Sequence, residues 1–194
     1  MMRSTLTQKN ILIILLIVAI LISGLVLTQH FSINNPTTRP TDISNPFAMA
    51  NSKPQTGSIV PDFSLYDILG NKVDIKQFRG KPVILNFWAT WCAPCELEMP
   101  LFLDIYEQQA GNLVVLAVNK KETVETIDTY VKNHGLTFTV LLDSDGLIAK
   151  KNGVNAFPTT FFIDKEGIIQ SQHVGQLDKN TMADYLKLIG IVSW

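Results

Sequence analysis

Two cysteines, Cys92 and Cys95, are the residues of this 194-residue chain whose type and spacing could do chemistry. They lie in the stretch NFWATWCAPCELEMP, and the chain has no other cysteine. Two thiols separated by two residues can exchange disulfides with a partner, supply half of a metal site, or form a structural disulfide. The neighbouring residues indicate which of these uses applies.

The sequence places the dithiol between a strand and a helix. Residues 81–88, KPVILNFW, are an almost unbroken run of apolar and β-forming residues, which is typical of a strand buried on both faces. From Leu97 onward, apolar residues recur at helical spacing. Cys92 therefore lies at a predicted helix N-terminus, where unpaired N–H groups and the helix dipole stabilise a thiolate. We predict that Cys92 is the exposed nucleophile and that Cys95, one turn further on, resolves a mixed disulfide.

The other uses of the cysteine pair are less well supported. A structural zinc site needs about four ligands, and beyond this pair the chain offers three histidines and no second paired spacing. A disulfide across so short a loop constrains the unfolded chain little, because that effect grows with loop length. Inert buried thiols are a third alternative. We predict a catalytic dithiol and no metal site.

The remaining pattern alternates strands and helices. Residues 61–75 indicate a hairpin, and a second hairpin is indicated by the turn residues 164–167. Between the hairpins and after the dithiol helix, the pattern predicts, in order, a strand at 113–119, a helix at 123–133, a strand at 137–142 and a short helix ending at Asn152. A last helix follows, N-capped by Asp178. This order predicts an α/β domain with a mixed sheet over residues 58–190.

The N-terminal part of the chain predicts a membrane anchor. Residues 11–27 are seventeen consecutive residues without a charge, and as a helix they span roughly 26 Å, close to the bilayer core of about 30 Å. Arg3 and Lys9 precede them, so the positive-inside rule puts residues 1–10 in the cytoplasm and the catalytic domain outside it. We predict a single-pass, uncleaved anchor in the cell membrane; a cleaved signal peptide is the alternative. Residues 28–57, rich in Asn, Pro, Thr and Ser, predict a flexible linker.

Charge composition excludes one class of partner. The chain has 16 Lys and Arg against 17 Asp and Glu, and no basic run exceeds two residues. Binding to nucleic acid depends on clustered positive charge that displaces counterions from phosphates. We therefore predict no nucleic-acid partner.

Several motifs together resemble one protein family. WCAPC after a buried strand, FPTT at 157–160, and the closing hairpin and helix resemble the thioredoxin superfamily. The opening PDFSLYD, the stretch GKPVILNFWATWCAPCELEMP and an additional helix and strand at about 122–142 are similar to the membrane-anchored TlpA/ResA/CcmG group, and most similar to ResA-like members. The resemblance implies a thioredoxin-like fold: a central mixed sheet flanked by helices, with an N-terminal β-hairpin and an extra helix-strand insert, preceded by one transmembrane helix.

The resemblance also implies roles for individual residues. It assigns Cys92 as the nucleophile and Cys95 as the resolving thiol. Pro158 would be a cis-proline that faces the dithiol and leaves the backbone of Phe157 free to pair with an extended substrate. The predicted substrate groove comprises Trp91, Ala93, Pro94, Phe157 and Pro158.

A third catalytic residue is predicted on the dithiol helix. By the same resemblance, Asn86 stands where plain thioredoxins carry a buried acid, and an amide cannot take up that proton. Glu98 lies three residues after Cys95 on roughly the same helix face, and it resembles the active-site glutamate of ResA-like proteins. Burial would raise the pKa of such a carboxyl, so that it could exchange a proton with Cys95. The alternative is a glutamate that merely complements the helix dipole.

These residues and the resemblance predict a function. No histidine or other cation lies between the cysteines to stabilise the reduced form, which favours a reductant over an oxidant. The resemblance implies an extracytoplasmic thiol-disulfide oxidoreductase that reduces exported proteins, typically apocytochrome c during cytochrome c biogenesis. Electrons would come from a transmembrane thiol carrier of the CcdA/DsbD type, and the Cys92–Cys95 disulfide would be the only redox group, with no other cofactor. Related branches act on other envelope or spore proteins.

Two functions of other classes fit only part of the sequence. A thiol peroxidase shares the PDFSL-like opening, but its motif needs Pro and Thr before the reactive cysteine, where this chain has Leu85 and Ala89. A copper-binding assembly module would need a wider cysteine spacing and a matched distal histidine. Peroxide consumption would support the first alternative, and stoichiometric, tight Cu(I) or Zn(II) binding by the cysteine pair would support the second.

Overall fold

A computed structural model describes residues 54–192 of the chain. The predicted N-terminal segment 1–10, the predicted anchor 11–27 and most of the predicted linker 28–57 lie outside the described residues. Within residues 54–192, no helix is both long enough and apolar enough to cross a bilayer.

One seven-stranded sheet forms the centre of the fold. Its strands are β1 (Ser64–Asp67), β2 (Lys72–Asp74), β3 (Val83–Trp88), β4 (Val114–Lys120), β5 (Thr139–Asp143), β6 (Thr159–Ile163) and β7 (Ile169–Val174). The order across the sheet is β2-β1-β5-β4-β3-β6-β7. Strands β3, β4 and β5 are parallel to one another, whereas the hairpin strands pair antiparallel. The prediction of a mixed sheet is confirmed.

Within residues 54–192, four α-helices connect or flank these strands. They are α1 (Ala93–Gln109), α2 (Val124–His134), α3 (Leu147–Lys151) and α4 (Lys179–Leu188). The sequence pattern missed a short 3-10 helix, Ile75–Phe78. It forms because the Asp74 side chain accepts a hydrogen bond from the N–H of Lys76, which caps a new turn as soon as β2 ends.

The predicted helix-strand insert is present as α2 and β5. Strand β5 pairs in parallel with β4 on one side and antiparallel with β1 on the other. It therefore joins the N-terminal β1–β2 hairpin to the central strands. Without β5, the hairpin would have no neighbour in the sheet among the described residues.

Strand β3 carries the core on both of its faces. All six of its residues are buried, and because side chains alternate along a strand, Ile84 and Trp88 join the cluster that includes residues of α1, while Phe87 joins the opposite cluster. Asn86 has the same parity as Ile84 and Trp88. The strand therefore places one amide side chain on the face covered by α1.

The central strands should carry much of the stability. Leu116 on β4 is 0% exposed within the cluster on the face opposite α1, so Leu116→Ala leaves a cavity and should lower the free energy of unfolding by about 2–5 kcal/mol. Denaturant titration of the purified protein measures this. The matched control, Leu69→Ala in a turn where the side chain is 81% exposed, should change it by less than about 0.5 kcal/mol. Equal losses in the two variants would contradict this account of the core.

Candidate active site

The two cysteines are joined in a disulfide at the start of α1, with their Cα atoms 5.2 Å apart. Cys92 is the N-cap residue, and its Sγ accepts a hydrogen bond from the N–H of Cys95 at 3.3 Å. The prediction that Cys92 is exposed is wrong for the disulfide form, because this residue is only 5% exposed; Cys95 is 0% exposed. An incoming thiol or disulfide can therefore reach the pair only at Cys92.

The first turn of α1 suits an anion at Cys92. Ala93 and Pro94 begin the helix, and a proline there sacrifices no helical hydrogen bond because N–H groups of the first turn have no partner within the helix. The first helical bond runs from the N–H of Glu96 to the carbonyl of Cys92. After reduction, the helix N-terminus would stabilise a thiolate at Cys92.

Beside Cys92 lies a groove of about 650 Å³. Its lining residues are Trp91, Cys92, Ala93, Pro94, Lys120, Lys121, Asn155, Ala156 and Phe157. Trp91 is 71% exposed, and its ring centroid lies 6.0 Å from that of Phe157, so the two rings form an apolar wall. Four of the five residues predicted for the groove line it.

The fifth predicted groove residue, Pro158, is placed differently. The Phe157–Pro158 peptide bond is cis, as the resemblance implied. Pro158 itself is buried and does not line the groove, because it leads directly into β6, whose residues are all buried. Its carbonyl accepts a hydrogen bond from the N–H of Gly175 at 2.9 Å.

Two lysines of the groove were missed by sequence reasoning. Lys120 ends β4 and Lys121 follows it. Because β3 and β4 are parallel neighbours, their C-terminal ends lie at the same edge of the sheet, which is where α/β proteins place their sites. The adjacent lysines at the end of a predicted strand were the available signal.

Glu122 was also missed, and it holds the loop before the dithiol. Its carboxylate accepts hydrogen bonds from the N–H of Thr90 at 2.7 Å, from the Thr90 hydroxyl, and from Nδ2 of Asn119 at 2.7 Å. The loop between β3 and α1 is thereby tied to the end of β4. This contact fixes the segment that carries Trp91.

Glu98 is buried between α1 and the sheet, with 0% exposure. Its Oε1 accepts a hydrogen bond from Nδ2 of Asn86 at 2.8 Å, and its Oε2 accepts one from the N–H of Leu177 at 3.1 Å. Burial raises the pKa of Glu98 to about 7, although the two hydrogen bonds oppose this rise. Glu98 forms no ion pair with any other described residue. The predicted proton-exchanging group thus has a pKa near neutrality.

Asn86 is a fixed donor to Glu98. The second hydrogen of its amide is donated to Oγ1 of Thr160 at 3.0 Å, so both N–H bonds of the side chain are used. Glu96, two residues before Glu98 on the same helix, is by contrast exposed, and its Oε1 lies 3.5 Å from Nε2 of His134. The two glutamates of the first turns therefore occupy opposite environments.

The motif positions of a thiol peroxidase are occupied by side chains without hydroxyl groups. Leu85 and Ala89 are 0% and 1% exposed, and both are packed in the core.

The sheet, the dithiol at a helix start and the cis-proline together define a thioredoxin-like protein. The chain belongs to the AhpC/TSA family, whose model matches residues 56–172.

Similar proteins within this class are named for disulfide exchange. The chain is 38% identical to the thiol-disulfide oxidoreductase ResA of Bacillus thuringiensis over 71% of its own length and 80% of that protein. It is 39% identical to the thioredoxin-like protein YneN of Bacillus subtilis, over 69% and 80% of the two chains. A putative thiol:disulfide interchange protein DsbE of Chlorobium tepidum superposes with a TM-score of 0.66 at 29% identity, over 73% of this chain and 100% of that one. The protein is a thiol-disulfide oxidoreductase.

The buried carboxyl predicts a particular dependence of stability on pH. The pKa of Glu98 rises from an ordinary value of 4.5 to about 7 in the folded protein, so the folded state holds this proton more tightly than the unfolded chain. The resulting stability is complete below about pH 4.5 and is lost as the pH rises through about 7, a decline of about 3 kcal/mol. Denaturant titration across this pH range should show the decline in the wild-type protein and not in Glu98→Gln.

The control for that experiment is Glu107→Gln, on the exposed part of the same helix. It should keep the wild-type pH dependence. An identical pH dependence in wild type and Glu98→Gln would contradict a raised pKa at Glu98, whatever the absolute stability of the variant.

Proposed function

We propose that this oxidoreductase reduces disulfide bonds of exported proteins on the extracytoplasmic side of the cell membrane. The anchoring segment would be residues 11–27, and the charge pattern around it supports the orientation. The proposed substrate is the haem-binding cysteine pair of apocytochrome c, as the resemblance to the TlpA/ResA/CcmG group implies. A transmembrane thiol carrier of the CcdA/DsbD type would return the enzyme to its dithiol form.

The proposed reaction uses both cysteines and Glu98. The Cys92 thiolate attacks one sulfur of the substrate disulfide, and a mixed disulfide forms while one substrate thiolate leaves and takes a proton from water. Cys95 then gives its proton to the Glu98 carboxylate and attacks Sγ of Cys92. The second substrate thiolate leaves, the Cys92–Cys95 disulfide is formed, and two electrons have passed to the substrate.

The environment of Glu98 is the observation that supports this direction. The carboxyl is fully buried, lies one helical turn from Cys95, and has no cation paired with it among residues 54–192. A negative charge at Glu98 disfavours a second negative charge on Cys95. Poor stabilisation of a thiolate at Cys95 makes the dithiol give up its electrons more readily, and this effect opposes the stabilisation of the Cys92 thiolate by the helix N-terminus.

The redox potential tests the direction. After equilibration with glutathione or dithiothreitol buffers at pH 8, the Cys92–Cys95 couple should have a potential nearer the value of about −270 mV typical of thioredoxin than the value of about −120 mV typical of a disulfide-forming oxidant. Glu98→Gln should raise the potential by roughly 15–30 mV, because it removes the opposing charge. A potential near that of the oxidant would reverse the proposed direction.

Trapping tests the substrate. In the full-length Cys95→Ala variant, Cys92 can form a mixed disulfide that no second thiol resolves. Expressed in the membrane of the native host, this variant should retain exported proteins with paired cysteines, apocytochrome c among them, in reducible adducts. The variant that lacks both cysteines is the control and should retain none. Adducts with cytoplasmic proteins alone would contradict the proposed location.

A further inference from the structure

The groove beside Cys92 is positively charged. Of its nine lining residues, Lys120 and Lys121 are the only ones with charged side chains, and the rest are apolar or neutral. A partner cysteine that forms a mixed disulfide with Cys92 must bring its neighbouring residues into this groove. Those residues then lie against two cations and the wall formed by Trp91 and Phe157.

Neither lysine is neutralised by the described part of the chain. Lys120 and Lys121 form no ion pair with any carboxylate of residues 54–192. The two carboxylates nearest in the chain or the sheet have other partners: Glu122 accepts hydrogen bonds from the loop before Cys92 and from Asn119, and Asp143 accepts from two N–H groups of α3. The groove therefore presents two ammonium groups that form no ion pair within the described part of the chain, and the nearby carboxylates of Glu122 and Asp143 are held by neutral donors.

The two lysine side chains also run side by side. Both pass over Gly146, where an added Cβ would lie 2.7 Å from Cε of Lys121 and 3.1 Å from Cε of Lys120. The ammonium group of Lys120 lies 5.4 Å from the ring centroid of Phe157, on the aromatic wall of the groove. Adjacent like charges repel each other, and an anion bound between them relieves that repulsion.

We propose that this groove selects protein segments that carry an acidic side chain next to the cysteine they exchange with Cys92. The carboxylate of the partner would pair with Lys120 and Lys121, while apolar neighbours of its cysteine pack on Trp91 and Phe157. This inference deepens the proposed function, since it names a chemical feature of the substrate segment. It requires only that Cys92 exchanges with protein thiols, in whichever direction electrons flow.

An exchange equilibrium tests the proposal. The full-length Cys95→Ala variant is first joined through Cys92 to a short peptide with glutamine on both sides of its single cysteine. It is then equilibrated with the same peptide carrying glutamate at those two positions, and the two mixed disulfides are quantified after acid quenching. At low salt, the glutamate peptide should be preferred about five- to tenfold, and the preference should fall severalfold at high salt.

The lysines should carry this preference. Adding Lys120→Gln and Lys121→Gln should bring the ratio at least threefold closer to parity. The matched control, Lys165→Gln, lies beyond the other end of β6 from Pro158, about 20 Å away along the strand, and should leave the ratio unchanged. The glutamate and glutamine peptides differ in the pKa of their thiols. This difference is the same for every protein variant, so it cancels when the ratios of the variants are compared.

Two results would overturn the proposal. One is an equal preference in the Lys120→Gln/Lys121→Gln protein and the Lys165→Gln protein. The other is a larger effect of the two lysine changes on exchange with glutathione than on exchange with the glutamate peptide, which would assign the groove to a small anionic thiol. An oxidising potential would contradict the reductant function and leave this equilibrium unaffected, so the two failures are distinguishable.

Discussion

The hydrogen bond between Asn86 and Glu98 is the interaction on which the rest of the site depends. A carboxyl buried beneath a sheet is costly unless its oxygens are satisfied, and here one oxygen is bonded to Asn86 on β3 and the other to the N–H of Leu177 before α4. Asn86 is itself held by Thr160 on β6. Three parts of the chain thus fix one acidic group that α1 carries into the core. An apolar pair could pack equally well in this place, but it would offer no proton acceptor one turn from Cys95.

The dithiol lies between environments of opposite charge. Cys92 occupies the N-terminus of α1 and borders a groove with two lysines, whereas Cys95 is buried one turn from a carboxyl whose pKa is raised to about 7. Helix dipole and lysines favour a thiolate at Cys92, and the carboxylate disfavours one at Cys95. The proposed division of labour, in which one thiol attacks and the other resolves, follows from this difference. The ammonium groups of the two lysines should affect the redox potential less than the buried Glu98 carboxylate does, because charges near solvent are screened.

Local patterns predicted the fold well, and non-local contacts set the limits of that prediction. The apolar run of β3 and the helical spacing after Cys92 identified the strand and helix that hold the dithiol. Sequence reasoning placed Trp91 in the groove but did not decide between core and groove for Trp88. Strand β3 ends at Trp88, which is 0% exposed, and Trp91 in the loop beyond it is 71% exposed. The groove lysines were not predicted, because they are distant from Cys92 in sequence. Only the parallel pairing of β4 with β3 brings them to the groove beside Cys92. The cis bond at Pro158 came from resemblance, since spacing alone does not indicate it.

Membership of the AhpC/TSA family does not by itself decide the chemistry of the cysteine, because one fold supports several reactions. In this chain the positions of the peroxidase motif hold Leu85 and Ala89, which cannot donate a hydrogen bond to a peroxide oxygen. The nearest hydroxyl in the chain, that of Thr90, is donated to Glu122 and anchors the loop. A second thiol one turn away, joined to the first in a disulfide, provides what exchange requires: a way to close the pair and release the partner. The residues around Cys92 thus select disulfide exchange from the reactions that the fold allows.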